Sequence, residues 1–126
     1  MHPVSFVRSS NSSDDAVKVA IEKSISLINF NFNRKISRIA IKPNMCYYYH
    51  PSTGEVTDPR FVGILIDVLR QNITSDPEIS IVESDASALK CKYAFKMFKY
   101  DELAKEKGAK LINLCEEKTK TNGSGN

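Results

Sequence analysis

Ile39-Ala40-Ile41-Lys42-Pro43-Asn44, followed after a polar loop by Thr57-Asp58-Pro59-Arg60-Phe61, is the stretch whose reading decides the fold. An apolar run ending in a lysine and an asparagine reads as a buried strand with polar groups at its tip. Asp58 is a good N-cap, and Pro59 suits the first helical position, where a missing N–H costs nothing. Phe61, Val62, Ile64, Leu65, Ile66, Val68 and Leu69 then make a helix that is apolar around most of its circumference, as burial requires. A strand tip facing a helix N-terminus is a ready place for an anion or a metal ion.

Outward from this centre the same alternation repeats. On the N-terminal side, Val4–Val7 reads as a first strand, followed by the polar segment 8–13. Asp14 and Asp15 open a helix with an acidic first turn. Val17, Ala20, Ile21, Ser24 and Ile28 share one face of that helix. Ile36–Ile41 is the second strand. His50-Pro51-Ser52-Thr53-Gly54 marks a turn inside the loop from Met45 to Val56. On the C-terminal side, Asp76-Pro77 turns the chain into a third strand, Ile79–Val82, ending in Glu83-Ser84-Asp85.

Ser87 to Tyr100 has mixed helical character. Cys91, Phe95 and Phe98 face inward at helical spacing, and Lys92, Lys96 and Lys99 line the opposite, solvated side. Asp101–Lys107 is a last helix closed by Gly108 at the left-handed cap position. Lys110–Leu114 is a fourth strand. From Cys115 the chain is charged and then Gly/Ser-rich, which reads as a tail over residues 116–126. The order β-α-β-α-β-α-β predicts an α/β fold: a mainly parallel sheet of about four strands, three-layered, in one domain over residues 1–115.

Composition narrows the functions open to such a fold. The apolar content of 41% and charged content of 26% are those of a globular domain rather than a disordered chain. A net charge of +3, with no block of five like charges, disfavours a nucleic-acid domain. No apolar run approaches the roughly 18 residues of a membrane span, and the N-terminus carries no signal-peptide pattern. The three cysteines, Cys46, Cys91 and Cys115, form no CxxC pair, so no iron–sulfur cluster and no disulfide framework is expected. A cytoplasmic setting follows as the default. No GxGxxG or GxxxxGK[ST] motif is present, which argues against a standard dinucleotide or P-loop site.

In a parallel sheet the strand ends share one edge, and ligands of open α/β sheets bind there. The predicted rim therefore gathers Ser10, Lys42, Asn44, Thr57, Asp58, Glu83 and Ser84 as ligand-binding residues. Lys42 is a compact cation for a phosphate or carboxylate oxygen. Asp58, Glu83 and Asp85 offer hard oxygens that suit a divalent ion such as magnesium. Each has a plainer reading: a helix cap for Asp58, a solvated strand end for Lys42, a loop before a capped helix for Glu83-Ser84-Asp85. Tyr47-Tyr48-Tyr49 beside His50 reads as loop aromatics covering a pocket before it reads as a base-stacking platform.

These residues also carry a resemblance. Ile41-Lys42-Pro43-Asn44, Thr57-Asp58-Pro59, Ile81-Val82-Glu83-Ser84 and the run Leu103–Leu114 resemble, in order and spacing, the N-terminal part of the domain of unknown function 362 family. The resemblance spans most of residues 4–115. It implies an uncharacterised α/β protein about twice this length, to which the chain is similar as a truncated piece or as a short form. Some members carry ferredoxin-like iron–sulfur cysteine clusters; this chain has none of those clusters. The resemblance supports Lys42, Asn44, Thr57, Asp58 and Glu83 as site residues and names no reaction. The expectation is a small anionic ligand, with or without a divalent metal. The alternative is a non-catalytic module that assembles with a second copy or with the missing half. Nucleic-acid binding ranks third.

Overall fold

In a computed structural model, which describes residues 1–32 and 35–116, three strands form one parallel sheet. The elements run α1 (Asp14–Leu27), β1 (Arg38–Ile41), a single 3-10 turn (Pro51–Thr53), α2 (Pro59–Asn72), β2 (Glu78–Glu83), α3 (Cys91–Met97), α4 (Tyr100–Glu106) and β3 (Lys110–Asn113). The tail expected at 116–126 lies, apart from Glu116, outside the described residues.

The strand order is β1-β2-β3, with Ile39 opposite Ile79 and Ile81 opposite Leu111. Two successive right-handed crossovers that step the same way along a sheet must both pass over the same face. The core obeys this rule. Ile79 and Ile81 of β2 join Val62 and Ile66 of α2, Phe95 of α3 and Ala104 of α4 in one buried cluster, with Ile39, Ile41 and Leu111 packed against it. The alternate residues look the other way: Ala40 is exposed, and Val82 and Ile112 are only half-buried. The α/β class and the parallel sheet are those expected. The helices that cover the sheet, however, lie on one face, where the alternation had predicted both.

The second correction concerns the strand count, which is three and not four among the described residues. Val4–Val7 pairs with no strand among the described residues. Ser5 is instead hydrogen-bonded to Ser24 of α1, and Val4 and Phe6 stand 92% and 95% exposed. Side-chain contact with α1 has won over ladder formation for this segment.

Helix packing follows from the wheel of α2. Val62 and Ile66 meet the sheet, while Ile64 and Val68 meet Ile21 of α1 in a second cluster. Gly63 sits against α4, where an added Cβ would come within 3.0 Å of Leu103 Cδ1. Its lack of a side chain is what lets α2 and α4 approach. The exposed rim of that contact carries the Asp67–Lys107 ion pair at 2.6 Å, and the Arg70 guanidinium donates to the carbonyls of Lys107 and Gly108. Gly108 holds φ +58° at the end of α4, the left-handed stop that its position predicted. Lys99, between α3 and α4, holds φ +59° without being a glycine.

Candidate functional site

Parallel pairing brings the C-terminal ends of β1 and β2 side by side, so Lys42 and Glu83, 41 residues apart in sequence, meet. Lys42 Nζ lies 3.2 Å from Glu83 Oε2, and the two side chains differ sharply in exposure, 60% against 6%. Glu83 Oε1 accepts from the N–H of Ser84 at 2.9 Å. Both oxygens of a buried carboxylate are thus satisfied, one by backbone and one by an ammonium that still faces solvent. An ammonium has three donors, and Lys42 gives one of them to Glu83.

Asn44 and Thr57 also meet, and they close the intervening loop. The Asn44 N–H donates to Thr57 Oγ1 and the Thr57 N–H to the Asn44 carbonyl, each at 2.9 Å. Asn44 Nδ2 donates to the Glu55 carbonyl at 2.9 Å. These side chains hold the loop to the strand tip, and their polar capacity is largely used in doing so. Tyr100 secures the same point from below. It is fully buried, and its hydroxyl donates to the Thr57 carbonyl at 2.9 Å. Burial, with the carboxylates of Asp58 and Glu83 adding to it, raises its phenol above the ordinary range.

Asp58 caps α2 as expected, its Oδ1 accepting from the Arg60 N–H at 2.9 Å. Arg60 bridges Asp58 and Asp14, at 3.9 and 3.5 Å, and so links the starts of α1 and α2. Asp85 turns to different partners: Oδ1 accepts from the Cys91 N–H at 2.8 Å, and Oδ2 meets Lys90 Nζ at 3.0 Å. The Cys91 N–H first, and Lys90 after it, hold the Asp85 carboxyl below its usual range, and Asp85 in turn raises Lys90.

Of the sequence-predicted residues, then, the structure joins Lys42 with Glu83 and Ser84, and Asn44 with Thr57. Asp58, Glu83 and Asp85, the carboxylates expected to serve a metal ion, go to three separate sets of partners. Among the described residues no group of three or more His, Cys, Asp or Glu side chains is arranged to hold a metal ion. Ser10 is exposed in the bend before α1 and makes no hydrogen bond to this rim.

Three further residues contribute, none of them among the predicted site residues. The Tyr48 hydroxyl accepts from the Lys90 N–H at 2.8 Å and ties the loop to the start of α3. Cys115 Sγ accepts from the Asp85 N–H at 3.3 Å. Cys91, inside the core, has its thiol pushed up to about 12, chiefly by burial and then by Glu83. Cys91 was signalled by the inward helical face and Tyr48 by its run of loop tyrosines, but the contacts of Tyr48 and Cys115 reach across 42 and 30 residues.

Lys42, Asn44, Thr57, Asp58, Glu83 and Asp85 all lie inside the region matched by one family, the Domain of unknown function (DUF362), which covers residues 39–126. The chain belongs to the DUF362 family. No curated protein and no solved structure gives a match. The described residues of this DUF362 protein include no helix long and apolar enough to cross a membrane.

Proposed function

We propose that the C-terminal rim of this DUF362 protein binds a small anionic ligand, bearing a phosphate or carboxylate, through Lys42. One observation carries the reading: a buried carboxylate, Glu83, fixes the ammonium of a lysine whose side chain remains 60% exposed. Holding a lysine costs side-chain entropy, and surface pairs return little stability. Pre-positioning a cation for an incoming oxygen gives that cost a purpose. Asn44, Thr57 and Tyr100 support the position by pinning the loop beside it. Asp58, Glu83 and Asp85 are already committed within the chain, so the reading rests on Lys42 and needs no divalent ion.

Thermal unfolding in inorganic phosphate tests this. A ligand at a hundred times its Kd stabilises by about 2.7 kcal/mol. Lys42→Ala removes that gain and lowers the unliganded melting temperature by no more than about 10 °C. The same phosphate-induced stabilisation in Lys42→Ala would reject the proposal.

A second reading, assembly with another chain, is favoured by one observation. Val4 and Phe6 stand almost fully exposed on an extended segment, and the far face of the sheet carries no helix among the described residues. Sedimentation that shows a monomer at all accessible concentrations would remove it.

A further inference from the structure

We infer that a second ligand site lies in the cleft between the loop 45–56 and the junction of α3 with α4, and that it takes a flat ring carrying an anionic group. The cleft encloses about 560 Å³, within the range of small-molecule sites. Its walls include Tyr48, Pro59, Met97 and Phe98, with His50 and Lys99 as polar members. Met97 is 52% and Tyr48 37% exposed, so two of these apolar walls face water.

Charge complementarity chooses the occupant. Lys99 makes no ion pair among the described residues. Asp58 also borders the cleft, but its carboxylate accepts from the Arg60 N–H and faces the Arg60 guanidinium. His50 Nδ1 meets Ser52 Oγ at 2.8 Å and the Ser52 N–H at 3.2 Å, which leaves Nε2 as the ring nitrogen for a ligand. An unpaired cation and a ring nitrogen beside aromatic and proline surfaces match a planar body with a negative group. Lys42 is not part of the cleft, so this inference stands or falls apart from the proposal above.

Titration calorimetry with phenyl phosphate and with inorganic phosphate tests it. Phenyl phosphate binds about tenfold more tightly than inorganic phosphate, the worth of one ring on an aromatic wall. Lys99→Gly removes the cation and also relieves a left-handed residue, so the variant melts no lower than the parent. It loses the tenfold preference. Met97→Glu, a substitution at an exposed wall, gives the same loss and decides the matter should Lys99→Gly fail to fold. Lys42→Ala leaves the phenyl phosphate affinity in place. Equal affinity for the two probes, a preference that survives both cleft substitutions, or its loss in Lys42→Ala alone would overturn the inference.

Discussion

Cutting the Lys42–Glu83 link should cost stability by an amount intermediate between two familiar limits. Breaking a fully buried ion pair by removing one partner costs about 3–5 kcal/mol, whereas an exposed pair contributes about 1 kcal/mol or less. Here one side chain is 6% and the other 60% exposed, so water reaches the ammonium but hardly the carboxylate. Glu83 also keeps its hydrogen bond from the Ser84 N–H when Lys42 is removed. Lys42→Met is therefore expected to cost about 1–2 kcal/mol, near the lower limit, because half of the pair stays solvated. Glu83→Gln keeps an acceptor for Ser84 and is expected to cost about 1 kcal/mol. The two losses should not add, because each removes the same contact. A double-mutant cycle from urea unfolding should give a coupling of about 1 kcal/mol. Coupling below about 0.3 kcal/mol, the level of independent sites, would mean that the strand tips do not hold the pair in solution.

Other parts of the molecule give further tests. Tyr100→Phe removes the donor to the half-buried Thr57 carbonyl and should cost about 1–2 kcal/mol, read from the urea midpoint; no change would mean that the loop is not held from below. Ile81→Ala, at a fully buried position of the central strand, should cost about 2–5 kcal/mol, and a loss under 1 kcal/mol would contradict the packing described. Cys46 and Cys115 are exposed and should react with a disulfide reagent at pH 8, while Cys91 reacts only on unfolding; three fast thiols would refute its burial. Because the Cys91 thiol is raised from 9.0 to about 12 in the folded chain, the native state binds more protons than the unfolded state between those values. Stability should therefore fall as pH rises through that window, and Cys91→Ala should flatten the fall.

Much of this arrangement was legible in the residues because the relevant forces are local. The Asp58-Pro59 start of α2, the Gly108 stop of α4 and the inward Cys91-Phe95-Phe98 face each follow from a cap, a left-handed position or a helical period. The Lys42–Glu83 meeting was legible at one remove, since parallel strands must end together. The one-sided helical layer was not: it depends on which edge each strand joins, and alternation of elements is silent on strand order. Val4–Val7 has strand composition, yet its fate turns on competition between a ladder edge and the flank of α1. The roles of Asn44 and Thr57 as loop clamps, spending the groups that had marked them as binding residues, were equally invisible without the contact between them.

The central claim is that an ammonium fixed on a buried carboxylate awaits an anion at the strand ends, and amide NMR during titration with inorganic phosphate measures it most directly. The account predicts saturable shifts centred on the amides of Lys42, Glu83 and Ser84 that vanish in Lys42→Ala. Shifts that centre elsewhere, or that persist unchanged in that variant, would contradict it.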